Sequence, residues 1–305
     1  VIKLCTWSDS FFNSSSFSQN HNLSISGKRA FNQAEDGTKE GGVSYFLSGN
    51  HTLENGLNRL AEDSWERNAI RSKIKIEPYK WMDFENNTYL SLTGRNLPTY
   101  GITNVYNIRP TDVVKNPDGT WGNTDAGRAA AQMTEGGKTE INETGITTTN
   151  ILNLYFLKKD LTLTGQYSFK KDSDRRHWDG TKYKIGYGPN DVREQVSSDY
   201  AYEYFGENKY NVINLYATYN KEINKHKFTA LVGYNKETNN YESFWANRDQ
   251  LITSDLPNIA LATGDQTVGW DYSDWALNGY FGRLNYMYNE RYIIELNGRY
   301  DGSSR

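Results

Sequence analysis

The strongest constraint on the fold of this chain is a two-residue alternation of apolar and polar side chains that recurs in segment after segment. Leu161, Leu163, Gly165, Tyr167 and Phe169 take one side, and Thr162, Thr164, Gln166, Ser168 and Lys170 take the other. A helical period of about 3.6 residues cannot separate them this way, whereas a pleated strand does so automatically. Ile213, Leu215, Ala217 and Tyr219 repeat the pattern against Asn214, Tyr216, Thr218 and Asn220, and Phe228, Ala230, Val232 and Tyr234 follow. Near the end, Tyr292, Ile294, Leu296, Gly298 and Tyr300 oppose Glu295, Asn297, Arg299 and Asp301. Earlier, Ile70, Ile74 and Ile76 alternate with Arg71, Lys73, Lys75 and Glu77. The pattern predicts about ten strands, roughly 17–27, 43–54, 66–77, 82–96, 146–157, 161–171, 209–220, 227–241, 276–288 and 292–302. Most exceed the about 5 or 6 residues common in soluble strands and approach the about 9 to 11 that a tilted strand needs to cross a bilayer.

The connections alternate in length. Short turns fall at Pro78 to Trp81, Lys158 to Asp160, Lys221 to His226 and Asn289 to Arg291, and long links at about 97–145, 172–208 and 242–275. Transmembrane barrels sort their connections this way, short turns on the periplasmic side and long loops outside. The early part is less regular, with a long link near Gly27 to Gly42 on the short-turn side and a modest one near Asn55 to Trp65 on the loop side.

Only 36% of the 305 residues are hydrophobic, so something besides aliphatic side chains supplies the apolar surface. Aromatics make up 14%, with 23 Tyr and 8 Trp, and rings with an apolar body and a polar tip suit an oil-water boundary. Trp81, Phe84, Phe156, Phe228, Tyr288 and Tyr292 fall toward the short-turn rim, and Phe169, Tyr210, Tyr241, Trp275 and Tyr300 toward the loop rim, as two girdles would. Charges within strands, such as Arg71, Lys73, Arg283, Glu295 and Arg299, must then face the lumen, toward water or a plug, because a lipid-facing Arg or Lys at the midplane costs about 2 to 4 kcal/mol.

Net charge is −3 with no basic run, which removes nucleic acid as a partner. The single Cys5 excludes a disulfide framework and cysteine-based metal sites. No stretch reaches the about 18 apolar residues of a membrane-spanning helix. The start at Val1 and the stop at Arg305 inside a patterned segment both read as cuts in a longer protein.

At 279–305 the chain reads GYFGRLNYMYNERYIIELNGRYDGSSR. This hairpin resembles the SusC/RagA family of TonB-dependent outer-membrane transporters, in which a Gly-Arg-Leu-Asn-Tyr strand, a tight turn and an Arg-x-Asp-Gly-Ser-Ser-Arg ending recur. QNHNLSISG at 19–27 with YFLSGN at 45–50 resembles the family's first barrel hairpin, TWSD at 6–9 its link from plug to barrel, and NPDGTWG at 116–122 a turn of an external loop. GKRAFNQAEDGTKEGG at 27–42 departs from the shorter turn expected there. The resemblance implies an all-β fold: an antiparallel transmembrane β-barrel, partial, about ten of an expected ~22 strands. Residues 1–16 would be the link from the plug domain and 17–305 barrel wall with long extracellular loops. It further implies active import across the cell outer membrane of a nutrient such as an oligosaccharide or peptide, a SusD-like surface lipoprotein over the loops, and a TonB complex acting through a plug outside this chain.

KKDSDRRHWDG at 170–180 gathers Asp172, Asp174, Arg175, Arg176, Trp178 and Asp179 at the expected start of a long loop. Trp178 suits stacking on a ligand ring, Arg175, Arg176 and Asp179 suit its polar groups, and Asp172 with Asp174 suit Ca²⁺; the plainer reading is a solvated charged loop. FWANRDQ at 244–250 and WDYSDW at 270–275 add Trp245, Arg248 and Trp270 as substrate-binding candidates, against rim aromatics and loop packing as the plainer reading. The histidines His21, His51, His177 and His226 lack metal-ligand spacing, and no nucleophile elbow or phosphate loop is present, so no catalytic residue, metal or cofactor is expected. GYGPN at 186–190 reads as a turn. The rival from another class is a soluble or surface-anchored all-β carbohydrate-binding protein, whose apolar faces would meet in a sandwich. A barrel enzyme is a third reading, without a Ser/His/Asp constellation to support it.

Overall fold

The computed structural model describes residues 8–33, 39–109, 111–195 and 199–304. Cys5, the first two residues of TWSD, residues 34–38 of the 27–42 stretch and Arg305 lie outside the described residues. Alternation yields strands wherever it was read: β1 (Ser18–Gln33), β2 (Lys39–Asn55), β3 (Ser64–Tyr79), β4 (Met82–Pro98), β5 (Lys138–Phe156) and β6 (Leu161–Gly180). The short β7 (Tyr183–Gly188) and β8 (Asp191–Gln195) interrupt the series before β9 (Tyr200–Ile223), β10 (His226–Asp249), β11 (Gln266–Tyr288) and β12 (Tyr292–Ser303). Ten strands form one antiparallel sheet in the order β1-β2-β3-β4-β5-β6-β9-β10-β11-β12, and β7 pairs with β8.

Register makes the two faces continuous across the sheet. Val43, Ile76, Phe84, Leu152, Gly165, Leu215, Tyr234, Tyr280 and Tyr300 stand in one row, each paired with the next. One residue along each strand, the opposite face carries Ser44, Lys75, Glu85, Ile151, Gln166, Asn214, Asn235, Gly279 and Asp301. Among the described residues none covers the apolar face here: Leu215 is 52% exposed, Val232 66% and Leu284 57%. The sandwich reading needs a second sheet there, and among the described residues the other sheet is the β7–β8 hairpin, whose Tyr183 and Ile185 pack on a helix instead.

The apolar band does not follow the rows. On β10 it ends at Tyr234, whose row reaches Arg29 on β1, yet on β1 the band extends to Leu23, three outward positions further toward the loop rim. A rise of about 20 Å along the strand over about 34 Å of sheet width corresponds, for a level band, to a strand tilt of about 30°, near the range of membrane barrels.

The strands outrun the band. β6 carries outward apolar residues from Leu161 to Phe169 and then continues to Gly180 through Lys171, Ser173 and Arg175. The 172–208 and 242–275 links are therefore shorter than expected, because much of each is strand, and the long connections between the strands of the large sheet at this rim are 99–137, 181–199 and 250–265. The loop-rim girdle is also corrected: Phe169 and Tyr300 face outward, but Tyr210, Tyr241 and Trp275 share the polar face.

The buried hydrophobic residues sit mainly at the loop rim. α2 (Asp125–Glu135) starts at Thr124, whose Oγ1 accepts from the Gly127 N–H at 3.0 Å, and buries Ala126, Ala129, Ala130 and Met133 against Phe11, Val105 and Ile108. Phe11 belongs to α1 (Ser8–Phe11), so the described part of the 1–16 segment meets the sheet at its long-loop rim. NPDGTWG forms a tight turn there, with the Gly119 N–H donating to the Asn116 carbonyl at 2.9 Å and Gly119 at φ 85°. GYGPN bends at Asn190, φ 62°.

Candidate functional site: an aromatic shelf on the inner wall

The candidate substrate residues lie on strands, where alternation sends neighbours to opposite faces. Arg176 and Trp178 of β6 and Trp245 of β10 share the polar face; Arg175 and Asp179 of β6, Arg248 of β10 and Trp270 of β11 lie on the other. Trp178 therefore does not converge with Arg175 and Asp179.

On the polar face, Trp178 stands opposite Tyr202 of β9, ring centroids 3.8 Å apart and planes 12° apart, and Tyr202 stacks in turn on Trp245 at 5.7 Å and 10°. Below this shelf, Tyr204 shares a hydrogen bond with Tyr241, oxygen to oxygen 3.0 Å. That bond and burial push Tyr204 up to about 12, so its hydroxyl stays protonated. The Arg176 guanidinium lies 5.5 Å from the Tyr204 ring and is clamped two-fold by Asp174, with Nε 2.8 Å from Oδ2. Asp172 pairs with Lys170 at 2.7 Å. Both carboxylates proposed for Ca²⁺ thus hold cations of the chain itself, and among the described residues no group of three or more His, Cys, Asp or Glu is placed to hold a metal. Tyr202, Tyr204 and their neighbour Tyr200 were missed as a set, although every second residue of YAYEYF at 200–205 is aromatic or apolar in a way that marks one strand face.

On the other face, Trp270 donates its Nε1–H to Glu242 at 3.0 Å and stands in the row of Phe244 and Phe205. Arg248 donates to the Gly264 carbonyl at 3.1 Å, holding the 250–265 connection. Asp179, 1% exposed, accepts from the Lys138 N–H at 3.3 Å and lies 3.1 Å from His177 Nε2, whose Nδ1 lies 2.8 Å from Glu203. Hydrogen bonding to Asp179 and then to Glu203 raises the His177 pKa despite opposition from burial. With both ring nitrogens held by carboxylates, His177 has none free to activate a nucleophile. Thr99 Oγ1 donates to the Asp179 carbonyl at 2.7 Å, and Thr181 donates to the Glu135 carbonyl. Asp179 is therefore a fastener between the wall and the cap that the 99–137 connection and α2 form at the loop rim.

A single-layer sheet with a bare apolar face, a polar face of paired charges and strands that run beyond the apolar band matches few architectures, and solved structures identify which. The RagAB peptide importer in its closed-closed state matches over 98% of this chain and 33% of its own, with a TM-score of 0.73 at 16% identity; its open-open state gives 0.71 at 17%, over the same shares. The fold is that of the wall of this importer, one antiparallel sheet of long strands. TonB-dependent receptor P3 of Formosa agariphila is 24% identical over 98% of this chain, and receptor P26 of the same organism 36% identical over 28% of this chain and 9% of its own length. The chain spans 29% of the length of receptor P3. No protein-family model matches. The SusC/RagA resemblance read from the 279–305 hairpin agrees with these matches.

Proposed function

We propose that this chain is part of the wall and outer vestibule of a TonB-dependent importer that carries a nutrient such as an oligosaccharide or a peptide across the outer membrane. The observation that carries the reading is the bare apolar face that runs across the sheet, broken on β4 and β5 by the mutually hydrogen-bonded Asn86, Thr88, Thr148 and Asn150; such a face in water would be an aggregation surface and in a bilayer is already solvated. Strands of up to 24 residues reach well past the bilayer, so the shelf of Trp178, Tyr202 and Trp245 stands above the membrane on the path of an incoming solute. A plug in the lumen, a TonB complex acting on it and a SusD-like lipoprotein over the loops complete the proposal. The likeness to an importer of peptides supports a substrate of oligomer size, and no chemical step on that substrate is part of the reading.

The full-length protein should fractionate with the outer membrane, require detergent and migrate faster unboiled than boiled. Its deletion should abolish growth on one nutrient. A soluble periplasmic product would overturn the proposal.

A further inference from the structure

We infer that the inner wall holds an anion site built on Arg67 and Arg71, taking a carboxylate, sulfate or phosphate group of the transported substrate; this deepens the importer reading and rests on it. Both arginines lie on the polar face of β3, with the nearly buried Ala69 between them on that face. They line a cleft of about 620 Å³ together with Asn20 and Asn22 of β1, Asn50 of β2 and Tyr89 of β4.

The cleft offers donors and few acceptors. Neither guanidinium makes an ion pair among the described residues, whereas the next inward lysines on the same strand do, Lys73 with Glu85 at 2.9 Å and Lys75 with Glu77 at 3.0 Å. Arg67 Nε is shielded from solvent and has no hydrogen-bond partner, a cost that a bound acceptor would relieve. Both forks are pre-set by stacking, Arg71 at 5.5 Å from the Tyr89 ring and Arg67 at 5.5 Å from Trp65, so little side-chain freedom is lost on binding. The asparagine oxygens are consumed locally: Asn20 Oδ1 accepts from Asn22 at 2.8 Å and Asn50 at 3.0 Å, and Asn22 Oδ1 accepts from Asn50 at 2.7 Å. Asn50 spends both of its amide N–H on Asn20 and Asn22, which leaves the amide N–H of Asn20 and one of Asn22 to face a ligand. Two planar cations with amide donors beside them match an oxyanion.

Position favours a solute over the plug. On the outward face of β3, Ile70 is followed toward the loop rim by Asn68 and Glu66, so the apolar band ends there and Arg67 stands at the mouth of the lumen.

The test uses the purified full-length receptor and probe pairs matched in size: a uronate and a neutral hexasaccharide, a sulfated and an unsulfated one, and a glutamate-rich and a glutamine-rich hexapeptide. The charged member of at least one pair should bind at least about tenfold tighter, as expected for even one charge-assisted hydrogen bond, and the pair that responds identifies the anion. The Arg67→Gln/Arg71→Gln double variant should lose that preference while keeping its affinity for the neutral probe. The Arg67→Lys/Arg71→Lys variant, with charge but no fork, should recover part of it. Indistinguishable binding of charged and neutral probes overturns the proposal. So does a double variant that loosens the plug, read by proteolysis, with the anion preference intact. A receptor that fails to reach the outer membrane would instead count against the importer reading.

Discussion

The Trp178 indole and the Tyr202 ring, from directly opposed positions on β6 and β9, are stacked at 3.8 Å. That contact lies beyond the outward apolar series of β6, so ring pairing there must be held by the rings themselves. A double-mutant cycle with Trp178→Ala and Tyr202→Ala in the full-length protein should return a coupling of about 0.5 to 1.5 kcal/mol in thermal unfolding. The same variants should weaken substrate binding without changing outer-membrane insertion.

Outward and inward substitutions at one height should differ sharply. Leu215→Arg places a cation against hydrocarbon and should destabilise the barrel by about 2 to 4 kcal/mol, seen as loss of heat-modifiable protein. Asn214→Arg, one residue away and inward, should assemble normally.

The junction of wall and cap should respond to pH through His177. Its pKa is raised in the fold, chiefly by Asp179 and then by Glu203. A raised pKa means that the stabilisation is complete below the unfolded value of about 6.5 and fades as pH climbs through the folded value. Hydrogen exchange at Lys138 should therefore be slowest in mild acid and accelerate at alkaline pH beyond the intrinsic rise. His177→Gln should flatten this profile.

Gly137 adopts φ 113°, and a Cβ there would meet the Asp179 carbonyl oxygen at 2.2 Å. Gly137→Ala should cost about 1 to 3 kcal/mol and free the 99–137 connection to proteolysis, with the membrane-spanning rows still protected.

The sequence made the rows legible only where the two faces meet different solvents. From Leu161 to Phe169 one side is apolar and the other polar, and the alternation is unbroken; the expected strand ends near 171, where the outward apolar series ends. Beyond Phe169 both faces carry charged side chains, Lys171, Arg175 and His177 outward and Asp172, Asp174 and Arg176 inward, so they look alike in sequence and the pattern predicts a loop there. The same blindness merged Trp178 with Arg175 and Asp179 into one site. Thr124, Asp125 and the alanines that follow carry the signal of α2, a helix start, inside a link whose length alone marks it as a loop. Tyr210, Tyr241 and Trp275 were assigned to a membrane girdle on position along the strand alone, and parity places them inside.

The most direct measurement is solvent accessibility, residue by residue, along β9 and β10 of the full-length receptor in bilayers. Spin labels at Ile213, Leu215, Ala217, Phe228, Ala230 and Val232 should be accessible to oxygen dissolved in lipid and shielded from a water-soluble relaxant, with the reverse at Asn214, Tyr216 and Leu231. Equal access of the water-soluble relaxant to both sets would contradict a wall whose apolar face is covered by membrane.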